Sequence, residues 1–201
     1  MNAQGQGRGF TLLELMVTLA VAAILAVIAL PSFRDLLRKN QVGSASNALL
    51  ADLSYARSEA ITRGNIVSIC PSSDGASCTT NGQAYESGWL VYSYTPGNGK
   101  ATTAFDSSKA SATGTNQLLR YTQARAGVSV QSNSTSIISF GPQGQTLPAT
   151  STYTFWTCFR AEGEPGTGTS TTRVPGTALS VSASGSVTSQ PLGSQAACTP
   201  S

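Results

Sequence analysis

Apolar residues dominate the N-terminal part of the chain, where the run FTLLELMVTLAVAAILAVIAL covers 21 positions from Phe10 to Leu30. Glu14 is the single charged residue within it. Hydrocarbon about 30 Å thick needs roughly 20 apolar residues in a helix that rises about 1.5 Å per residue. The run therefore predicts a membrane-spanning helix.

An amphipathic pattern continues this helix. Apolar residues recur mostly at steps of three and four, in the order Phe33, Leu37, Ala45, Leu49, Leu53, Ala56 and Ala60. Arg34, Lys39, Asp52, Arg57 and Arg63 occupy polar positions. We expect the apolar stripe to pack against a sheet and Gly64 to end the helix as its C′ residue.

Pro31 lies where the apolar run meets the amphipathic segment. It lacks an amide hydrogen, and its ring clashes with the carbonyl of Val27, so it predicts a kink or local opening over Val27 to Leu30.

From Asn65 onward the hydrophobic period changes to two and turn residues become frequent. The predicted strands are Ile66 to Cys70, Trp89 to Tyr94, Leu118 to Tyr121, Ser136 to Phe140, Tyr153 to Arg160, Ala178 to Ser182 and Ser186 to Thr188. The last two flank a glycine-containing hairpin turn, Ala183 to Gly185. The fold class is therefore α+β, with a long N-terminal helix packed on an antiparallel β-sheet head.

Composition restricts the function classes. Charged residues make up 10% of the chain, against roughly 25% in ordinary soluble domains. The formal net charge is only +3, so a global basic footprint for nucleic acid is absent.

Four cysteines, Cys70, Cys78, Cys158 and Cys198, occur in a chain without histidine. A zinc site would need all four thiolates, and no CxxC pair is present, so we predict two disulfides in an oxidising compartment and neither metal nor cofactor. Three pairings are possible. We favour Cys70 with Cys78, which closes a short turn-like loop, and Cys158 with Cys198, which ties down the C-terminal tail.

The boundary before the apolar run carries a processing signal. A secretory signal peptide would place a small-residue cleavage site after the apolar stretch, and LPSFRDLLRKN is not of that kind. The segment G-FTLLELMVTLAVAAILAVIALP instead resembles the N-terminus of the type IV pilin and pseudopilin superfamily. The resemblance implies cleavage by prepilin peptidase between Gly9 and Phe10, N-methylation of Phe10, and assembly roles for Glu14 and Pro31.

Later segments resemble the group that contains pseudopilin H and the minor pilins FimT and FimU. They are LLADLSYARSEAITRGNIVSIC, GWLVY, ISFGPQG, CFR and ALSVSASGSV. The resemblance implies a leader at 1–9, a transmembrane and filament-core helix at 10–30, its amphipathic continuation at 31–64, and a β-rich head at 65–201. It also implies a single-pass protein of the bacterial inner membrane, with its head in the periplasm and later in an extracellular filament.

Glu14 needs an explanation because a carboxylate in hydrocarbon is costly, about 2.5–3.5 kcal/mol at the helix centre. After cleavage its own Phe10 α-amine lies one helical turn away and can neutralise it. The family implies a sharper role, in which Glu14 attracts the amine of a neighbouring subunit and sets the register of assembly. The plain alternative is a carboxylate that reaches back to the membrane interface.

Several function hypotheses follow. The leading one is a minor pilin at or near the tip of a type IV pilus that primes assembly, with prepilin peptidase and other minor and major pilins as partners. The close rival is a pseudopilin H-like subunit of a type II secretion system.

DNA uptake is a further alternative, which the resemblance associates with a basic G-R-x-R element. The nearest segment here, Gly185 to Thr188, has neither arginine, which leaves Arg160 and Arg173, with Arg120 or Arg125, as substitutes. Few phosphates could be neutralised by so few cations. Without histidine the chain has no histidine-based triad, and we predict that it is not an enzyme.

Overall fold

The computed structural model describes residues 10–94, 100–101, 103–108, 116–123, 125–135, 137–161, 163–164 and 167–199. Gly9 and Ser136 lie outside these residues. The chain divides into two compact units, Met1–Leu37 and Arg38–Ser201.

One helix, α1 (Leu12–Arg63), accounts for all the regular structure described before residue 64. It contains a stretch that is long and apolar enough to cross a membrane, and no residue of that stretch is buried. The helix continues through Pro31. A kink or local opening was expected over Val27 to Leu30, and it does not divide the helix into two.

The C-terminal end of α1 is set by Gly64, which adopts a left-handed φ of 64°. Gly64 N donates to Ile61 O at 3.3 Å, and Asn65 N donates to Ala60 O at 3.2 Å. These two bonds form a Schellman motif, which satisfies carbonyls that the helix itself leaves unpaired. The predicted helix end is therefore confirmed.

The buried face of α1 consists of Val42, Ala45, Ser46, Leu49, Asp52, Leu53, Ala56 and Ala60. Leu49 and Leu53 are fully buried, and each such side chain contributes about 1.5–3 kcal/mol of transfer free energy. Phe33 and Leu37, expected in the same stripe, remain 58% and 47% exposed. Within the unit Arg38–Ser201 the packed part of the stripe begins at Val42, and the packing of Phe33 and Leu37, which lie in the other unit, stays a prediction.

Nine strands follow the helix within the part of the chain that the structure describes. They are β1 (Val67–Pro71), β2 (Gly88–Tyr94), β3 (Asn116–Gln123), β4 (Val128–Ser132), β5 (Ile138–Phe140), β6 (Thr146–Leu147), β7 (Tyr153–Phe159), β8 (Thr177–Val181) and β9 (Val187–Pro191). All strand pairs are antiparallel. Every predicted strand has a counterpart, whereas β4 and β6 were not predicted.

The strands form two sheets, where the sequence pattern distinguished only one. The first has the order β3-β2-β1-β5-β6, and the second has the order β4-β7-β8-β9. Side chains of α1 and of both sheets meet in one core, in which Phe140 from the first sheet and Phe155 from the second are fully buried. The helix therefore acts as the common packing partner of the two sheets.

A second, smaller core lies around Cys70, Leu90, Tyr92, Tyr94 and Phe105. Because side chains alternate along a strand, Leu90, Tyr92 and Tyr94 point away from the face of β2 that carries Trp89 and Val91 to the main core. Tyr92 and Tyr94 both donate to the carbonyl of Thr103, at 2.7 and 2.5 Å. These bonds hold the segment around Thr103 against the sheet.

Candidate assembly surface and head-domain clusters

The N-terminal segment presents a continuous apolar surface. Phe10 is 78% exposed, and the large apolar side chains that follow it up to Leu30 are more than half exposed. Exposed apolar area on this scale marks a contact with lipid or with other protein chains. This surface contains Phe10 and Glu14, two of the residues singled out by the sequence.

Glu14 lies in the first turn of α1, whose first helical residue is Leu12. Its backbone N–H donates to Thr11 Oγ1 at 3.2 Å, so Thr11 serves as the N-cap and Glu14 as the third helical residue. This is the Thr-x-x-Glu arrangement of a capping box, and an acidic side chain here also interacts favourably with the helix dipole. The Thr11 side chain thus caps the helix, and the position of Glu14 in the first turn favours the helix independently of any neighbouring chain.

The head carries two disulfides, in the pairing favoured from the sequence. Cys70 pairs with Cys78 at a Cα–Cα distance of 5.7 Å, and Cys158 pairs with Cys198 at 6.3 Å. The first closes a loop of sequence separation 8, and the second connects β7 to the C-terminal tail across a separation of 40.

The loop closed by Cys70 and Cys78 is organised by Asp74. The Asp74 Oδ1 atom accepts from the backbone N–H groups of Ala76 at 2.8 Å and Ser77 at 3.0 Å. These bonds, with smaller contributions from Ser72 and Ser77 hydroxyls, lower the pKa of Asp74 to about 2. The carboxylate is therefore committed to the loop itself. The described residues hold no group of three or more His, Cys, Asp or Glu side chains that could bind a metal.

The arginines considered for DNA contact are engaged within the head. Arg160 pairs with Glu86 at 3.4 Å, and Arg120 pairs with Asp52 at 2.6 Å while lying 4.1 Å from the centre of the Tyr55 ring. Arg125 donates to Ser44 Oγ. Arg173 lies on the exposed surface. Pairing with carboxylates reduces the positive charge that Arg120 and Arg160 offer to phosphates.

Asp52 is buried, whereas the sequence pattern predicts a polar, exposed position for it. Its exposed fraction is 3%. Its carboxylate accepts from Trp89 Nε1 at 2.8 Å, Arg120 NH1 at 2.6 Å and Thr122 Oγ1 at 2.6 Å. The spacing of Leu49, Asp52, Leu53 and Ala56 already places Asp52 on the apolar stripe, so this spacing was the sequence signal for its burial.

Burial also affects the tyrosines of the two cores. The pKa of Tyr85 rises because its ring is buried, with a further repulsion from Tyr153. The pKa of Tyr92 also rises because its ring is buried, and repulsion from Tyr94 adds to this rise. Both hydroxyls therefore remain protonated hydrogen-bond donors rather than acid–base groups.

Two family profiles match the chain. The profile described as type II transport protein GspH matches residues 45–195, and the prokaryotic N-terminal methylation motif matches residues 6–30. The second match covers Gly9, Phe10 and Glu14.

Individual relatives include a type IV pilin and a fimbrial protein. The chain is 49% identical over 51 residues to a type IV major alpha-pilin of Moraxella bovis, a match that covers 25% of this chain and 30% of the relative. It is 34% identical over 101 residues to a fimbrial protein of Pseudomonas aeruginosa, with 50% and 58% covered. The chain thus spans less than two thirds of the length of these curated relatives.

The fold is similar to a crystal structure of the type IV minor pilin FimU of Pseudomonas aeruginosa. The TM-score is 0.50 at 22% sequence identity, with 76% of this chain and 90% of that one covered. Because the GspH profile covers most of the chain, the methylation motif precedes it and the fold is that of a pilin, this protein belongs to the GspH family within the type IV pilin and pseudopilin group.

Proposed function

We propose that this protein is a minor pilin, processed by prepilin peptidase, that takes part in priming type IV pilus assembly at or near the tip. The observation that carries the proposal is the apolar surface from Phe10 to Leu30, which no described part of the chain covers, together with the methylation motif over the same residues. A subunit with such a surface needs lipid before assembly and neighbouring helices afterwards. Before assembly the helix spans the inner membrane with the head in the periplasm, where both disulfides can form.

Processing and location test this proposal together. Intact mass spectrometry of the membrane-extracted protein should give a mature chain that starts at methylated Phe10 and is four hydrogens lighter than its reduced form. Sheared and purified pili should contain the same species. An uncleaved chain that is absent from filaments would overturn the proposal.

Within this proposal, Glu14 pairs with the α-amine of a neighbouring subunit and sets the register of assembly. Its position three residues after the N-cap Thr11 puts the carboxylate at the start of the helix, beside the terminus that cleavage creates. A charge removed from water is costly unless it is paired. The axial register that brings the Glu14 carboxylate to the neighbouring amine is therefore favoured over other registers.

Glu14→Ala should leave cleavage intact and reduce incorporation into filaments at least about tenfold, equivalent to about 1.4 kcal/mol. Immunoblots of sheared pili and membrane fractions measure both steps. Thr18→Ala is the matched control, because it removes a polar side chain whose hydroxyl bonds to Leu15 O of the same helix at 2.9 Å. Normal incorporation of the Glu14→Ala protein would sink the assembly role of Glu14.

A second candidate is a pseudopilin of a type II secretion system. The description of the matching profile, a type II transport protein, favours it. Deletion of the gene separates the two: loss of surface pili with normal exoprotein secretion supports the minor pilin, and the opposite result supports the pseudopilin.

A further inference from the structure

The second sheet has an outer face that no proposed assembly role uses. Phe155 of β7 and Leu179 of β8 point into the core, so the alternate residues Trp156 and Ala178 lie on the opposite face. The same register and alternation place nine strand residues on this side: Ser129, Gln131, Thr154, Trp156, Cys158, Ala178, Ser180, Thr188 and Gln190. Ser129, Gln131 and Cys158 are buried, and we name the other six the Trp156 face.

The cross-strand register arranges these residues in two rows. Trp156 pairs with Ala178, and Ala178 pairs with Gln190. Three strands about 4.8 Å apart give this row a length of roughly 10 Å. The second row, formed by Thr154, Ser180 and Thr188, runs beside it.

Trp156 is half-buried, whereas Ser180, Thr188 and Gln190 are exposed. The indole is therefore partly accessible, next to the exposed hydroxyl and amide groups of β8 and β9. None of these six residues carries a charge. Beside Trp156, the buried Gln131 donates to Glu86, whose carboxylate pairs with Arg160 at 3.4 Å.

We propose that the Trp156 face binds a neutral glycan chain. A sugar ring has an apolar face, which stacks on an indole, and a rim of hydroxyl groups, which match amide and hydroxyl side chains in both donor and acceptor capacity. The row from Trp156 to Gln190 is long enough for about two sugar units at the strand spacing of the sheet.

Other ligand classes fit this face less well. A single nucleic-acid strand also stacks on aromatic rings, but it needs cations for its phosphates, and the Trp156 face has none. A protein partner needs an apolar patch centre, and here only Trp156 and Ala178 are apolar. The combination of one aromatic ring with uncharged polar groups is what singles out the glycan.

Retention of the detergent-purified full-length chain on insoluble cellulose, chitin and amylose tests this proposal. At least one of the three should retain it, and Trp156→Ala should weaken that retention roughly tenfold or more. Gln190→Ala should weaken it less. Ser189→Ala is the matched control, because Ser189 lies next to Gln190 on β9 and alternates to the other face.

Fluorescence gives an independent readout that does not depend on folding of the Ala variant. The chain has two tryptophans, and Trp89 is 2% exposed with its Nε1 bonded to Asp52. Soluble oligosaccharide of the retaining polymer should shift the emission of the wild-type chain and leave that of Trp156→Phe unchanged.

Three results would overturn the proposal: no retention on any polymer, retention of Trp156→Ala equal to wild type, or a photo-crosslinker at Gln190 that captures a neighbouring pilin in intact filaments. The last result would make the Trp156 face a subunit interface instead. The two retention outcomes do not depend on whether the chain enters filaments, so they are distinguishable from failure of the proposed function.

Discussion

At the residue scale, Asp52 connects α1 to the first sheet through bonds from Trp89, Arg120 and Thr122. Asp52→Ala leaves the indole N–H without its acceptor and the guanidinium without its carboxylate. We expect the free energy of unfolding to fall by about 2–3 kcal/mol, a value reduced because the Arg120 side chain is 45% exposed. Urea denaturation of the full chain in detergent, with disulfides intact, measures it.

Glu59→Ala is the control for that change. It removes the exposed pair with Arg63 on the same helix, and we expect a loss of only about 0.5 kcal/mol or less. Equal losses for Asp52→Ala and Glu59→Ala would show that the buried carboxylate has no special role. The sequence alone favoured an exposed Asp52, because whether a carboxylate on an apolar stripe finds donors depends on strands more than thirty residues away.

At the element scale, the β8–β9 hairpin is fixed by Gly185. It has φ of 79°, and a Cβ atom there would collide with the carbonyl oxygen of Gly144. Arg57 of α1 also donates to Gly144 O at 3.1 Å, so the hairpin, the turn before β6 and the helix meet at one place. Gly185→Ala should lower stability by roughly 1–3 kcal/mol from backbone strain alone.

Gly193→Ala is the matched control, because no atom lies within 4 Å of its Cβ position and its φ is not in the left-handed region. Thermal unfolding monitored by circular dichroism compares the two variants. Wild-type stability of Gly185→Ala would contradict the close packing of the two turns. The sequence predicted the hairpin from its glycine, but only the structure shows that Gly144 makes the glycine necessary.

At the scale of the whole molecule, the two disulfides restrain chain segments of different length. In the loop-closure account, removal of the Cys158–Cys198 bond, with separation 40, should cost about 4 kcal/mol, and removal of Cys70–Cys78, with separation 8, about 2–3 kcal/mol. Paired Cys→Ala variants and urea denaturation provide the comparison. The reverse ranking would show that native packing, rather than chain entropy, dominates.

Much of this protein could be predicted from local patterns. The apolar run from Phe10 to Leu30, the end of α1 at Gly64 and most strands follow from periodicity and turn residues, since these act over a few neighbouring positions. The family also followed from contiguous motifs. In contrast, β4 was not predicted: its short run VSVQS ends in polar residues, yet all five residues are buried.

Tertiary structure decided the features that require distant residues to meet. The division into two sheets, the burial of Asp52 and the placement of Trp156 on an uncharged outer face all depend on which strands pair and in which register. Strand register determines the face on which each side chain lies, and a shift of one residue would exchange the two faces. The chain sequence by itself therefore determined most of the elements and the family, whereas strand pairing decided which of its surfaces are left for a partner.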